Sequence, residues 1–365
     1  MRSICNAILY DGVVSAIMRI GIIVLNWNGK RDTLFCLESL VNSDWTSRCL
    51  LVVDNGSTDG SVGVIRRWGT IRGWQVHVLD QTTVQKKQDQ QKNKSSIFNP
   101  KQLFILKLGE NRGYTGGNNA GIAWFLQYDV DAILVLNNDI WVAPDAIRHM
   151  AETLEQCQDV GIVGCKIINY NNDGIQYQGG NLSYWLGVYY LRRFKGHPQG
   201  TVKVNFVPGC AMLIRTSVLR TIGGFRDDFF AYTDDIEFCR RVHNAGWILV
   251  INLDAVIRHK LSQAMGKRGS LLYYYFVTRN TLIFIIEKLE GIQRVVALTM
   301  FMLARLLQMI SWMSTGHWDR IKGVVRGITD FVQGVRGPGW AAQHLVVLPT
   351  HKVEDSRSKM CKRKC

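Results

Sequence analysis

One segment constrains the fold of this chain more than any other: residues 131–140, Asp131 through Ile140. Residues 132–136 are uniformly apolar and mostly β-favouring, the pattern of a strand buried on both faces in a parallel sheet. The run stops abruptly at Asn137, Asn138 and Asp139. In open α/β sheets, ligands sit just beyond the carboxyl ends of the strands. A carboxylate there, flanked by amides, suits a hard divalent cation carrying phosphate oxygens. An Asx turn ahead of Pro144 accounts for the same residues without a ligand. The neighbouring segments decide between the two.

The same pattern recurs upstream. Residues 20–25 form an apolar run that ends in Asn26, Trp27, Asn28 and Gly29, and a helical periodicity covers 31–41. Residues 49–53 end in Asp54, followed by a turn at 55–59 and a helix to Trp68 that Ser57 or Thr58 can cap. Residues 75–79 and 103–108 read as strands. The second leads through a glycine-rich stretch, 111–119, into a helix ending near Tyr128. Strand–helix–strand alternation of this kind predicts a doubly wound, mostly parallel central sheet, Rossmann-like, with helices on both faces. Each strand closes in polar or glycine residues, so candidate sites line up along one sheet edge.

From Gly161 onward the elements shorten. Residues 204–215 read as one strand containing Pro208, Gly209 and Cys210. A Gly223-Gly224-Phe225 turn follows, then Asp234-Asp235-Ile236-Glu237 opens a helix to Ala245. Domain boundaries are expected at 1–19 (an N-terminal extension), 20–286 (the catalytic-type domain, with a flexible basic insertion at about 82–101), 287–340 (a helical, membrane-associating appendage) and 341–365 (a basic tail). Residues 292–313 are strongly apolar but carry Arg294 and Arg305. Because a central Arg costs about 2.5–3.5 kcal/mol on insertion scales, an interfacial amphipathic helix fits better than a spanning one. A helix packed on the domain fits the same residues.

Composition narrows the classes. With 47% hydrophobic and 20% charged residues, collagen-like, coiled-coil and disordered classes are excluded. The net charge of +15 favours an anionic partner: nucleotide phosphates, nucleic acid or an acidic membrane face. Nine cysteines without a C-x-x-C pair suggest reduced thiols in a cytosolic compartment, and no secretory signal is evident.

Individual residues carry specific expectations. Asp54, at a strand end, can accept from a nucleobase N–H or a ribose hydroxyl. The glycines 113, 116 and 117 let backbone approach a ligand, but their spacing is neither G-x-G-x-x-G nor a P-loop. Asp234, Asp235 and Glu237 put three carboxylates in four residues. Helix capping explains them, and so does a general base whose pKa is raised by adjacent acids. His259 stands at the end of a strand-like run and could complete a site with Asp139.

Taken in order, the motifs resemble the family 2 inverting glycosyltransferases of GT-A fold, especially the rhamnosyltransferase-like branch. The motifs are 24–29, 53–59, 111–121, 136–139, 208–210, 223–225, 234–241 and 274–280, and the resemblance covers residues 20–288. It implies that Leu25, Trp27 and Asp54 line a base and ribose pocket. It also implies that Asn111 and Asn118 border the sugar and phosphates, with Asn137 and Asn138 beside them. Asp139 matches the last acid of the D-x-D motif, expected to bind Mg²⁺ or Mn²⁺, and His259 resembles a further metal ligand. Asp235 matches the catalytic base, with Asp234 and Glu237 beside it; Gly209 and Arg279 fall on the acceptor side. Asn137 replaces the first D-x-D acid, which reduces the anionic ligands for a metal.

The implied reaction is metal-dependent transfer from a nucleoside-diphosphate-sugar, dTDP-rhamnose among the candidates, to a glycan or lipid-linked acceptor in cell-surface polysaccharide synthesis. The expected location is the cytoplasmic face of an anionic membrane, with no nucleic-acid partner. Alternatives are a nucleic-acid-binding α/β protein, a sugar-phosphate nucleotidyltransferase and a catalytically impaired relative.

Overall fold

The computed structural model describes residues 17–80, 96–99, 101–183, 188–191, 199–260 and 269–345. The elements run in chain order as β1 (Ile20–Asn26), α1 (Lys30–Val41), β2 (Arg48–Asp54), α2 (Ser61–Ile71), β3 (Gln75–Asp80), β4 (Gln102–Lys107), α3 (Gly113–Phe125), β5 (Ala132–Asn137), β6 (Ile140–Val142), α4 (Ala146–Gln156) and β7 (Val160–Asn169). Next come β8 (Ile175–Tyr177), β9 (Gly180–Ser183), β10 (Val188–Leu191), β11 (Thr201–Val204), β12 (Ala211–Arg215), α5 (Thr216–Ile222), α6 (Asp234–Asn244) and β13 (Ile248–His259). The C-terminal helices are α7 (Leu271–Lys288), α8 (Gly291–Thr315), α9 (Trp318–Val332) and α10 (Ala342–Leu345).

The strand order β11-β13-β7-β12-β5-β1-β2-β4-β3 makes a mostly parallel mixed sheet, with β6 on β13 and β8 on β7. The apolar runs sit at its centre: Ile20, Ile22, Ile23, Leu51, Val53, Ile133 and Val135 are all fully buried. Each such side chain stabilises the fold by about 1.5–3 kcal/mol. At the edge, no residue of β3 is fully buried.

Register fixes the chemistry at one end of the sheet. Asp54 pairs with Asn26 and Lys107, and Asn137 pairs with Leu25, so the polar ends of β1, β2, β4 and β5 stand side by side. Because β12 runs antiparallel to β5, its first residue Ala211 lies opposite Leu136 and carries Gly209 and Cys210 to the same end. β6 doubles back against β13 and sets Ile140 opposite His259.

Several expectations change. Residues 204–215 are not one strand: β11 ends at Val204, a loop containing Pro208 follows, and β12 begins only at Ala211, the two strands pairing with different neighbours. Helix α2 is preceded by Gly60 in the left-handed region (φ 81°) and has no side-chain cap. Asp59 instead accepts from the Ser61 N–H at 3.0 Å, while Ser57 serves Asn26 and Asn28. Most of the expected basic insertion and the basic tail lie outside the described residues, but Ile97 is buried against the core. Cys36, Cys49, Cys165, Cys210 and Cys239 are free thiols, whereas Cys157 is disulfide-bonded, against the expectation of uniformly reduced cysteines.

The C-terminal helices do two different things. α9 packs on α7 through Gly323 and Gly327, where a Cβ would meet the Leu271 and Tyr275 carbonyls at 2.4 and 2.7 Å. α8 is long and apolar enough to cross a membrane, yet only Ala297 and Trp312 in it are buried.

Candidate active site

A cavity of about 530 Å³ opens at the polar end of the sheet. Leu25, Trp27, Asn111, Asn137, Asn138, Asp139, Gly209, Asp234, Asp235 and His259 all line it. Residues drawn from six separate segments of the sequence thus converge on one concavity, as ligand sites in α/β sheets do.

One corner is built by the β6–β13 pairing. His259 Nε2 stands 3.3 Å from Asp139 Oδ1, and both side chains are largely buried at the cavity wall. The Lys260 N–H donates to the Asp139 carbonyl at 3.1 Å, fixing the turn. Asn138 looks the other way: its amide donates to Thr33 Oγ1 at 3.0 Å and, at 3.4 Å, to Asn26 Oδ1 and the Gly29 carbonyl. Asn138 therefore ties the turn to α1. The amide nitrogen of Asn111, at the opposite wall, is a buried donor with no protein partner, while its oxygen accepts from Asn55 and from the Gly113 N–H, each at 2.9 Å. Such an orphaned donor is a ready ligand contact.

The other corner holds the acids. Asp235 Oδ2 accepts the Gly209 N–H at 3.1 Å, and Oδ1 accepts the Ile236 N–H at 2.9 Å. Cys210, next to Gly209, accepts the Asn137 N–H at 3.0 Å, so one loop connects the Asn137–Asp139 turn to the acids. Burial pushes the Asp235 carboxyl up, and the two N–H donors partly offset that rise. Asp234 is raised well above the usual range, first by burial and then by the charge of Asp235. The Gly209 and Ile236 N–H donors favour the ionised form of Asp235.

The helix carrying these acids starts from a contorted loop. Phe230, Tyr232 and Thr233 all have φ between 64° and 66°, in the left-handed region, which costs about 1–3 kcal/mol per non-glycine residue. The Asn280 amide holds that loop, donating to the carbonyls of Phe229, Ala231 and Tyr232 at 2.9, 2.7 and 2.9 Å.

Four expected site residues do not reach the cavity. Glu237 is fully buried, accepting from Arg241 Nε at 2.9 Å and pairing with Lys288 Nζ at 3.1 Å. Arg241 in turn donates to the Ile222 and Gly224 carbonyls, so Glu237 braces the glycine turn. Arg279, expected on the acceptor side, is fully buried beneath the loop, donating to Asn280, the Tyr275 hydroxyl and the Phe229 carbonyl. Asp54 is buried, accepting from Asn26 at 2.8 Å and from the Ser57 N–H at 3.2 Å. Asn118 is buried and donates to the Tyr114 carbonyl. In each case the side chain shapes the wall from behind.

Conversely, Asn55, Tyr114, Thr233 and Arg305 line the cavity without having been singled out. Asn55 sits inside the 53–59 motif, where its turn-forming role masked the bond to Asn111. Tyr114 reads in the sequence as a packing residue of a glycine-rich stretch, and Arg305 only as a charge interrupting an apolar helix.

Comparison with known proteins agrees with this geometry. The profile of glycosyltransferase like family 2 matches residues 18–270. A low-salt glycan biosynthesis hexosyltransferase, Agl10 of Haloferax volcanii, is 29% identical over 187 residues, 48% of this chain and 59% of that protein. The chain therefore spans about three fifths of that relative's length. An N-acetylglucosaminyl-diphospho-decaprenol L-rhamnosyltransferase of Mycobacterium tuberculosis is 24% identical over 66% of this chain and 76% of its own length. Among solved structures, a mannosyltransferase from Pyrobaculum calidifontis, in complex with GDP-Man and Mn²⁺, superposes with a TM-score of 0.51 at 14% identity, covering 87% of each chain. That likeness is one of fold, and the fold is GT-A. With its mixed sheet, its site at the strand ends and a family profile over more than half its length, the chain belongs to the family 2 glycosyltransferases.

Proposed function

We propose that the protein transfers a hexose or deoxyhexose, with dTDP-rhamnose as one candidate donor, from a nucleoside-diphosphate-sugar to a hydroxyl of a glycan or lipid-linked acceptor, inverting the anomeric carbon. The observation that carries this reading is the opening of Asp235 and the Asp139–His259 pair into the same cavity. Asp235, whose carboxylate accepts two backbone N–H groups, takes the acceptor hydroxyl's proton. The acceptor oxygen forms its bond to the anomeric carbon as the bond to the diphosphate breaks, and the nucleoside diphosphate leaves with that electron pair. One displacement inverts the configuration without a covalent enzyme intermediate.

The Asp139–His259 corner fits a divalent cation. A carboxylate and an imidazole at 3.3 Å supply two donors, and Mg²⁺ or Mn²⁺ sites commonly draw the rest from diphosphate oxygens and water. Such a cation, when bound, neutralises charge on the diphosphate. Asn137 offers an amide oxygen where a second carboxylate would bind more tightly. Leu25, Trp27 and Asn111 border the nucleotide in this reading, Asn118 and Asp54 supporting them from behind, and Gly209 faces the acceptor. The outer side of α8, with Leu303, Leu306, Leu307 and Ile310 exposed, would rest on the cytoplasmic face of an anionic membrane, an orientation its basic neighbours Arg320, Lys322 and Arg326 favour.

The test is release of nucleoside diphosphate from a panel of nucleotide-sugars by purified protein, with and without divalent cation. Selective release from one donor supports the reading. Absence of release from every donor, in the presence of both cations and of lipid-linked and free glycan acceptors, contradicts it.

A further inference from the structure

The Tyr114 side chain lies in the cavity wall, and its hydroxyl donates to the Gly209 carbonyl at 2.5 Å, short even for an O–H···O bond. Gly209 is the residue whose N–H donates to Asp235 Oδ2 at 3.1 Å. One residue further on, the Cys210 carbonyl accepts the Asn137 N–H at 3.0 Å. A glycine has no side chain to hold its backbone in place. At Gly209 the two backbone polar groups do that instead, one gripped by Tyr114 and the other by Asp235.

Tyr114 is fixed at its own end. It stands at the start of α3, where the Asn118 amide donates to its carbonyl and the Asn55 amide to the Gly113 carbonyl, each at 2.9 Å. The next N–H, of Thr115, donates to the Phe230 carbonyl at 3.3 Å, which ties α3 to the loop preceding the acids. The Tyr114 ring meets Phe225 edge-on at 5.5 Å. Burial pushes the phenol well above its ordinary pKa, and the charges of Asp234 and Asp235 push it further. The hydroxyl therefore keeps its proton and remains a donor to Gly209.

We propose that Tyr114 is a positioning residue for the reaction: by holding the Gly209 carbonyl it aims the Gly209 N–H at Asp235 and so sets where the base points. It acts through Gly209 and touches no reacting atom. The proposal rests on the assignment of Asp235 as the base of a transferase. A hydrogen bond to a carboxylate favours its ionised form, so a Gly209 N–H that drifts away leaves Asp235 harder to ionise as well as less well aimed. The ionisable groups facing Asp235 are Asp234 and Cys239 of its own helix, Tyr114 of α3 and Cys210 of the loop. Burial keeps the two thiols and the phenol neutral, which leaves Asp234 as the neighbour that titrates beside Asp235.

The test uses Tyr114→Phe, which keeps the ring and its contact with Phe225 but removes the donor. Carbon-13 NMR of the Asp235 carboxyl, assigned with Asp235→Asn, follows its apparent titration midpoint in the full chain without donor. The midpoint rises by about half a pH unit or more in Tyr114→Phe, and it rises also in Gly209→Ala, which reaches the same bond from the other side. In transfer assays kcat of Tyr114→Phe falls about tenfold, the donor KM changes by less than about threefold, and the acid limb of the rate moves up with the midpoint. The kcat effects of Tyr114→Phe and Gly209→Ala do not multiply, because both act on one hydrogen bond. An unmoved midpoint or an unchanged kcat in folded Tyr114→Phe overturns the proposal. So do effects that multiply, which would make Tyr114 a substrate contact in its own right. A raised midpoint in a protein that releases nucleoside diphosphate from no donor would instead sink the transferase reading and leave the linkage from Tyr114 to Asp235 standing.

Discussion

The backbone amide of Gly209 donates to Asp235 Oδ2 at 3.1 Å, and a Cβ on Gly209 would meet the Tyr114 hydroxyl at 2.8 Å and Asp235 Cβ at 3.4 Å. The residue that steadies the proposed base therefore has no room for a side chain. Gly209→Ala is expected to displace either Tyr114 or the amide, lowering kcat for transfer by about tenfold or more, since misplacing a reacting group by an ångström can cost a hundredfold. The KM for the donor should change much less. Steady-state kinetics on donor and acceptor separately will show the split.

The pH dependence follows from the two carboxyls. Transfer needs Asp235 ionised, and burial raises its pKa. The rate should rise with pH, its acid limb centred above the ordinary Asp value of about 3.9. Stability runs the opposite way. Asp234 binds its proton more tightly folded than unfolded, so its contribution is full below the unfolded pKa and is lost as pH rises through the folded one. Asp234→Asn should flatten the fall in Tm between acid and neutral pH; an unchanged slope would contradict the assignment of the buried proton to Asp234.

Removing divalent cations with a chelator should abolish most transfer, and Mn²⁺ or Mg²⁺ should restore it. Asp139→Ala is expected to prevent that restoration. Asn137→Asp adds the carboxylate the turn lacks and should lower the cation concentration for half-maximal rate by about tenfold, because ligand charge tunes such affinities. A titration of rate against cation concentration measures both.

Glu237 and Asn280 should separate stability from chemistry. Glu237→Gln strips the fully buried partner of Arg241 and Lys288 and should destabilise the fold by about 3–5 kcal/mol, with little effect on kcat for whatever remains folded. Asn280→Ala frees three carbonyls of the left-handed loop. Its effect should appear in kcat, because the loop aims Asp234 and Asp235. Chemical denaturation and kinetics on the same preparations distinguish the two.

The central sheet was legible because its strands are buried on both faces: the runs ending in Asn26, Asp54 and Asn137 are apolar to the last turn, and register then aligns their ends. Asp139, His259 and Asp235 were legible as candidates because each stands where a strand or helix meets a loop. What the sequence hid is direction. Glu237 is two residues from Asp235, and on a helix two residues is about 200° of rotation, which turns Glu237 into the core. Arg279 carries a charge that reads as a ligand contact, yet it is spent on the Phe229 carbonyl. The loop between Val204 and Ala211 was masked because Phe206 and Val207 continue the apolar run of the strand before it. Arg305 looked like an interruption of an apolar helix until the fold placed it in the cavity wall.

In the proposed reaction Asp235 is the proton acceptor. Asp235→Asn keeps the shape of the side chain and one acceptor oxygen for either the Gly209 or the Ile236 N–H, but removes the proton acceptor. Measured as product formed per enzyme in the presence of saturating donor, acceptor and cation, transfer should fall by about 10²–10⁴-fold, while the dissociation constant for the nucleoside diphosphate stays within about threefold of wild type. Transfer by Asp235→Asn at near wild-type rate, with binding unchanged, would contradict it.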